Sequence, residues 1–206
     1  MHSALAIANW FVDAAKADGV RDLTPPKLHG LVYAAHGWLL GAAGKPMIVS
    51  PVKADRDGVF VPELRDAGCW GSRTVNEHVA QIKMDEARGV MSEHKPELAP
   101  DDPTVPALQW VWKTYGKLTA FQIAQHVREF GSPWDLIWND EDRADDEAKL
   151  IPNTTIKLWF RDLSKMRQEQ GRNAKLTDVQ KQELKPKLEK TQRMLAKPDP
   201  DRLRQA

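Results

Sequence analysis

The aromatic residues of this chain are confined to its first 160 positions. The sequence has 206 residues with 8 Trp, 2 Tyr and 5 Phe, and the last of these is Phe160. A segment with no aromatic and few other apolar side chains buries too little surface to form its own core. The distribution therefore predicts a compact domain at residues 1–160 and a C-terminal extension at residues 161–206, which packs on another surface or stays mobile.

The charges divide at the same boundary. Residues 161–206 contain 13 Lys and Arg against 7 Asp and Glu, a net charge of +6. Subtracting these from the totals of 30 and 29 leaves 17 against 22, or −5, for residues 1–160. The chain as a whole therefore has no strong field for nucleic acid or an anionic membrane, while the extension is predicted to be a basic helix.

The composition is that of a soluble globular protein, with 41% apolar and 29% charged residues. No run approaches the roughly 20 apolar residues that span a bilayer, and the N-terminus has no basic segment before an apolar run. The single cysteine, Cys69, excludes an intramolecular disulfide. We expect a cytoplasmic protein that does not contact membranes.

Helical periodicity dominates the first 160 residues. The clearest helix begins after Thr24 as N-cap, has two prolines in its first turn and ends at Gly44. Residues 47–62 instead contain β-prone pieces around a polar turn at residues 55–58, which predicts a small β-hairpin or two-stranded element. Helical periodicity returns over residues 74–83 and 104–116. The predicted fold class is mainly α, with this β element and the helical C-terminal extension.

Motifs for catalysis are missing from the sequence. It contains no nucleophile elbow, zinc-protease helix, phosphate-binding loop or dinucleotide fingerprint. His29 and His36 are seven residues apart on the second predicted helix and face the same way, but no carboxylate lies one turn from either ring to complete a metal site. We interpret them as surface or partner-facing residues. Cys69 has no neighbour in sequence that would lower the pKa of its thiol, which favours a buried structural cysteine.

Two tryptophans on one predicted helix are only two positions apart. Trp110 and Trp112 cannot both point into the core from the same helix, so we expect one of them to be exposed. Exposed tryptophan is a frequent anchor residue in protein interfaces.

The order of several short motifs resembles the Panacea domain, a family also described as SocA-like or GepA-like. The motifs are Lys27-Leu28 with Tyr33 and Gly37-Trp38, then Gly44-Lys45-Pro46, Gly58, Val61-Pro62-Glu63-Leu64, Tyr115-Gly116, His126 and Ser132-Pro133-Trp134. The resemblance covers residues 4 to about 138. This chain departs from the family pattern at Gly30, Asp55 and Val59, where the family has lysine, tryptophan and proline.

The resemblance implies an antitoxin that binds and neutralises a toxin protein, in a bacterial or phage-associated setting. It also implies no catalytic residue, which agrees with the missing motifs, and we expect no metal, no cofactor and no enzymatic activity. We expect the toxin to bind the polar side of the second helix, the segment around residues 58–62, an exposed tryptophan and the extension. The predicted partner-binding residues are Lys27, His29, His36, Gly58, Phe60, Pro62, Trp110, Lys181, Lys185 and Arg193.

Three other functions remain open at this point. One branch of the family delivers its toxin to a ClpXP-type protease, so an adaptor is the first alternative. The basic extension also permits a DNA-binding autoregulator, although it has no aromatic residue to interleave with bases. An enzyme using His29, His36 or His126 is the last alternative.

Overall fold

The fold is described here from a computed structural model of the chain. The structure describes residues 1–85, 89–139 and 147–174. The chain divides into two compact units, Met1–Ser164 and Lys165–Ala206. The predicted extension beyond residue 174, with Lys181, Lys185 and Arg193, lies outside the described residues.

Within the described ranges, helices and short strands alternate along the chain. The helices are α1 (Ala4–Ala17), α2 (Pro25–Ala43), α3 (Pro62–Asp66), α4 (Val105–Tyr115), α5 (Ala120–Val127), α6 (Pro133–Trp138) and α7 (Asn153–Ala174). The strands are β1 (Val52–Asp55), β2 (Gly58–Phe60), β3 (Gln81–Asp85), β4 (Val90–His94) and β5 (Lys149–Ile151). The predicted boundary between residues 160 and 161 therefore falls inside α7.

Helix α2 is the centre of the first unit. It contacts α1, α4, α5 and β2, and its residues Leu28, Leu31 and Val32 are fully buried. Its ends are those that the sequence predicts: Thr24 is the N-cap residue, and Gly44 ends the helix in the left-handed conformation with φ 68°. A residue with a side chain would be strained there, because φ above zero places Cβ against the backbone.

The β-hairpin lies where the sequence predicts its turn. Strands β1 and β2 pair antiparallel with Asp55 opposite Gly58, and the Asp55 carboxylate accepts from the backbone N–H groups of Asp57 and Gly58. Strand β5 pairs with the other edge of β1, which gives the order β2-β1-β5. Residues 47 and 48 are outside the hairpin, since Ile48 makes only an isolated bridge to His2.

The prediction of a mainly α fold is wrong. Of the residues that the structure describes, 51% are helical and 13% are in strands of two small sheets, which is a mixed α/β content. The second sheet consists of β3 and β4, and β3 overlaps the predicted helical stretch at residues 74–83. The error arises because Val75, Val79 and Ile82 recur at helical spacing although Ile82 is 60% exposed, so the spacing does not report one buried face.

Among the described residues, no helix combines the length and the apolar character that a membrane crossing requires.

Candidate partner-binding site

His29 connects α2 to the residues on either side of α3. Its Nδ1 accepts a hydrogen bond of 3.1 Å from the backbone N–H of Val61, and its Nε2 lies 2.9 Å from the carbonyl oxygen of Cys69. A ring that accepts at Nδ1 and faces a carbonyl at Nε2 is neutral with its proton on Nε2. Burial lowers the pKa of His29, which agrees with a neutral ring.

His36, seven residues after His29 on α2, makes the same kind of connection. Its Nδ1 faces the backbone N–H groups of Met47 and Ile48 at 3.3 and 3.4 Å, and its Nε2 lies 2.9 Å from Oδ1 of Asn153 at the start of α7. Burial lowers its pKa as well. The two histidines therefore attach α2 to three other segments of the first unit.

The expectation that Lys27, His29 and His36 lie on the protein surface is wrong. All three are buried, and the Lys27 side chain is 0% exposed with its Nζ 2.8 Å from Oδ1 of Asp22. The physical reason is that α2 is enclosed by other elements, so its polar side chains serve internal contacts. A buried polar group must be hydrogen-bonded, and both histidine rings are.

A groove opens between the N-terminal half of α2, strand β2 and helix α5. We call it the α2–β2 groove; its volume is about 530 Å³ and its lining is mostly apolar. Its floor and walls include His29, Gly30, Val59, Phe60, Ile123 and Val127. Of the predicted partner-binding residues, the structure thus brings His29, Gly58 and Phe60 together in one groove.

Arg65 fixes the β2 wall of the groove. It forms an ion pair with Asp55, and its guanidinium carbon lies 3.4 Å from the centre of the Phe60 ring. A guanidinium over an aromatic face is attracted by the ring quadrupole. The groove wall is therefore held by a side chain that is itself partly exposed.

The Pro-Trp motif reaches the same hairpin from another part of the chain. Trp134 Nε1 donates a hydrogen bond of 2.9 Å to the backbone oxygen of Asp55. Ser132 caps α6 by accepting from the Asp135 N–H and donates to the Val127 carbonyl at the end of α5. These bonds join α5, α6 and the hairpin turn into one support for the groove.

Trp70 is a groove residue that is not among the partner-binding residues predicted from the sequence. It lines the groove and is 69% exposed. It lies in a loop between Cys69 and Gly71, so no helical periodicity assigns it to the core. That context is the signal that points to a surface role.

Trp110 and Pro62 lie apart from the groove lining. The expectation that one tryptophan of the pair is exposed is confirmed, because Trp110 is 41% exposed and Trp112 is 9% exposed. Trp110 packs edge-on against Trp38 with ring centres 4.9 Å apart. Pro62 is the first residue of α3 and is half-buried.

Cys69 contributes its backbone to the site. Its thiol is buried, and burial raises the pKa of that thiol to about 12. A thiol with so high a pKa is a poor nucleophile at neutral pH, since the thiolate is the reactive form. In the part of the chain that the structure describes, no three His, Cys, Asp or Glu side chains form a group that could hold a metal ion.

Comparisons of the chain with family models, with curated proteins and with solved structures found no match.

Proposed function

We propose that this protein is an antitoxin, which neutralises a toxin protein by binding it directly. The resemblance of residues 4 to about 138 to the Panacea domain suggests this function. Three of the titratable groups that line the groove serve internal contacts, since His29 bonds to two backbone groups and Arg65 pairs with Asp55. Such an arrangement suits a surface that binds a partner.

One observation carries the proposal: three of the Panacea-like motifs, which are distant in sequence, are hydrogen-bonded to one another or to the hairpin beside the α2–β2 groove. His29, which follows Lys27-Leu28 of the first motif, accepts from Val61 of the Val61-Pro62-Glu63-Leu64 motif at 3.1 Å. Trp134 of the last motif bonds to Asp55 in the hairpin. A concave apolar groove with an exposed tryptophan at its edge has the features of a protein-binding site.

The three positions at which the chain departs from the family pattern all line this groove. They are Gly30, Asp55 and Val59. A β-carbon at Gly30 would overlap Cγ2 of Ile123, so a larger residue there would displace the groove floor. Variation at these positions therefore alters the shape of the groove, as expected if the groove selects one toxin among many.

Co-expression with the product of the adjacent open reading frame tests the proposal. We expect that product to stop growth when expressed alone and this chain to restore growth. The two proteins should also co-purify as a stoichiometric complex. A chain that neither restores growth nor binds the adjacent gene product contradicts the proposal.

A host without ClpXP-type protease separates inhibition from delivery to a protease. A direct inhibitor restores growth in that host at the same expression level, whereas an adaptor does not. The toxin level provides a second reading, because inhibition leaves the toxin intact in the complex and delivery lowers its amount.

A further inference from the structure

Strand β2 presents an unpaired backbone edge to the α2–β2 groove. In the order β2-β1-β5, β2 is an edge strand. Its ladder with β1 begins at Asp55 and Gly58 on either side of a two-residue turn. The pair beside such a turn exchanges both hydrogen bonds, so the N–H and C=O of the next residue, Val59, point away from β1.

The neighbouring residue on the same edge shows where these groups point. Val61, two positions after Val59, donates its N–H to Nδ1 of His29 on α2. Groups two residues apart on a strand share a direction, so the Val59 N–H and C=O also face the α2 side, where Val59 lines the groove. The N–H and C=O of Val59 form no hydrogen bond with a described residue outside strands β1 and β2.

The groove beside this edge can take an apolar side chain. Ile123 and Val127 of α5 form its apolar side, and Trp70 stands at its opening. A volume of about 530 Å³ exceeds that of one leucine or phenylalanine side chain. An extended peptide that pairs with a sheet edge alternates its side chains, so every second one enters the neighbouring pocket.

The charges at the groove favour a basic segment. Asp55 is paired with Arg65, but Asp57 at the turn is exposed and forms no ion pair with a described residue. Residues 1–160 also have a net charge of −5. A lysine or arginine next to the apolar side chain of a bound segment would complement Asp57.

We propose that the toxin inserts an extended segment into the α2–β2 groove, pairs its backbone with β2 at Val59, and places an apolar side chain against Ile123 and Val127 with a basic residue near Asp57. The inference rests on the proposed function, because it identifies the surface through which the antitoxin acts. It adds the conformation and chemistry of the toxin segment that the groove recognises.

Matched variants of the full chain test the groove against the purified product of the adjacent open reading frame. Ala124→Trp fills the groove from α5, and Gln125→Trp places the same bulk at the next, exposed position as its control. Trp70→Ala removes the exposed tryptophan, and Phe121→Ala removes a residue that is 66% exposed outside the groove. Titration calorimetry should show at least about tenfold weaker binding for each groove variant and no change for each control.

Two further measurements address the backbone and the charge. Hydrogen exchange of the Val59 amide should slow in the complex, because the toxin segment accepts from this N–H. Asp57→Lys should weaken binding several-fold at low salt, with a smaller effect at high salt, while Asp101→Lys at another exposed site should leave binding unchanged.

The outcomes separate this inference from the antitoxin proposal. If the complex forms but the groove variants bind as tightly as the unaltered chain and Val59 exchange is the same in both states, the groove inference is overturned and the antitoxin proposal stands. If the unaltered chain forms no complex with the adjacent gene product, both are overturned.

Discussion

Gly37 on α2 lies directly against the ring of Phe160 on α7, so that any β-carbon at position 37 would overlap the ring. One turn later, a β-carbon at Gly41 would lie 2.8 Å from the backbone nitrogen of Arg161. The two glycines, four residues apart, share one face of α2 and let α7 approach its backbone closely. The ring of Phe160 then packs against Tyr33 and Trp38 with centres 5.5 and 5.3 Å away.

Gly37→Ala should destabilise the protein, although alanine favours helices over glycine by about 1 kcal/mol. The new methyl group displaces Phe160, whose ring cannot move freely between Tyr33 and Trp38. Overpacking of this kind costs about 1–3 kcal/mol, so urea unfolding should show a net loss. In a Phe160→Ala background the same substitution should cost nothing, and an equal loss in both backgrounds would contradict the proposed contact.

We expect the stability of the folded protein to fall in mild acid, because His29 and His36 are buried. Burial lowers the pKa of His29 and of His36 in the folded state, so the unfolded chain binds more protons once the pH drops below the ordinary value near 6.5. Their contribution is complete above that pH and is lost as the pH falls through the folded pKa values. The slope is at most about 1.4 kcal/mol per pH unit for each histidine.

Urea unfolding at a series of pH values checks this prediction. The variants His29→Asn and His36→Asn keep an acceptor near the position of Nδ1 but do not titrate. The variants should be less stable than the unaltered chain at pH 7.5, and the difference should shrink toward pH 5. An identical pH dependence in both variants and the unaltered chain would contradict the role of the rings.

The hydrogen bonds of Asn9 attach the β3–β4 hairpin to α1. This fully buried side chain on α1 donates to the carbonyls of Val79 and Pro96 and accepts from the Val79 N–H at 2.7 Å. These two residues flank the hairpin on either side. Asn9→Ala should cost roughly 1–3 kcal/mol for each buried backbone group left unpaired.

Hydrogen exchange locates the effect of Asn9→Ala. Faster exchange should be concentrated in residues 79–96, because all of the lost hydrogen bonds reach Val79 or Pro96. Exchange in α2 and α5 should change little. Asn76→Ala at a nearby exposed position is the control. Uniformly faster exchange across the chain would contradict a local attachment.

The sequence predicts local features of this fold well and their partners poorly. The bounds of α2 follow from Thr24, Pro25 and Gly44, because these signals act within one turn of backbone. Strand β5 pairs with a strand about 95 positions earlier, and no local pattern of three residues specifies such a partner.

The candidate site was predictable in part for the same reason. Gly58 and Phe60 follow from the hairpin, but the exposure of Trp70 depends on which segments cover it. The surface positions expected for Lys27, His29 and His36 are wrong because these polar side chains form bonds inside the protein. The spacing of His29 and His36 correctly places them on one face and does not reveal that the face is covered.

Lys27 and Asp22 form an ion pair, and we expect substitutions at the two residues to change the stability of the protein differently. Lys27 is fully buried, whereas the Asp22 side chain is 55% exposed. Lys27→Met keeps the aliphatic volume and removes a buried charge together with its desolvation cost, so stability should stay the same or rise. Asp22→Ala leaves the buried ammonium group without its carboxylate and should destabilise the protein, as thermal unfolding can measure. Because Lys27 does not reach the surface, Lys27→Met should also bind the toxin as tightly as the unaltered chain. Weaker binding by this variant would indicate that Lys27 contributes to the interface.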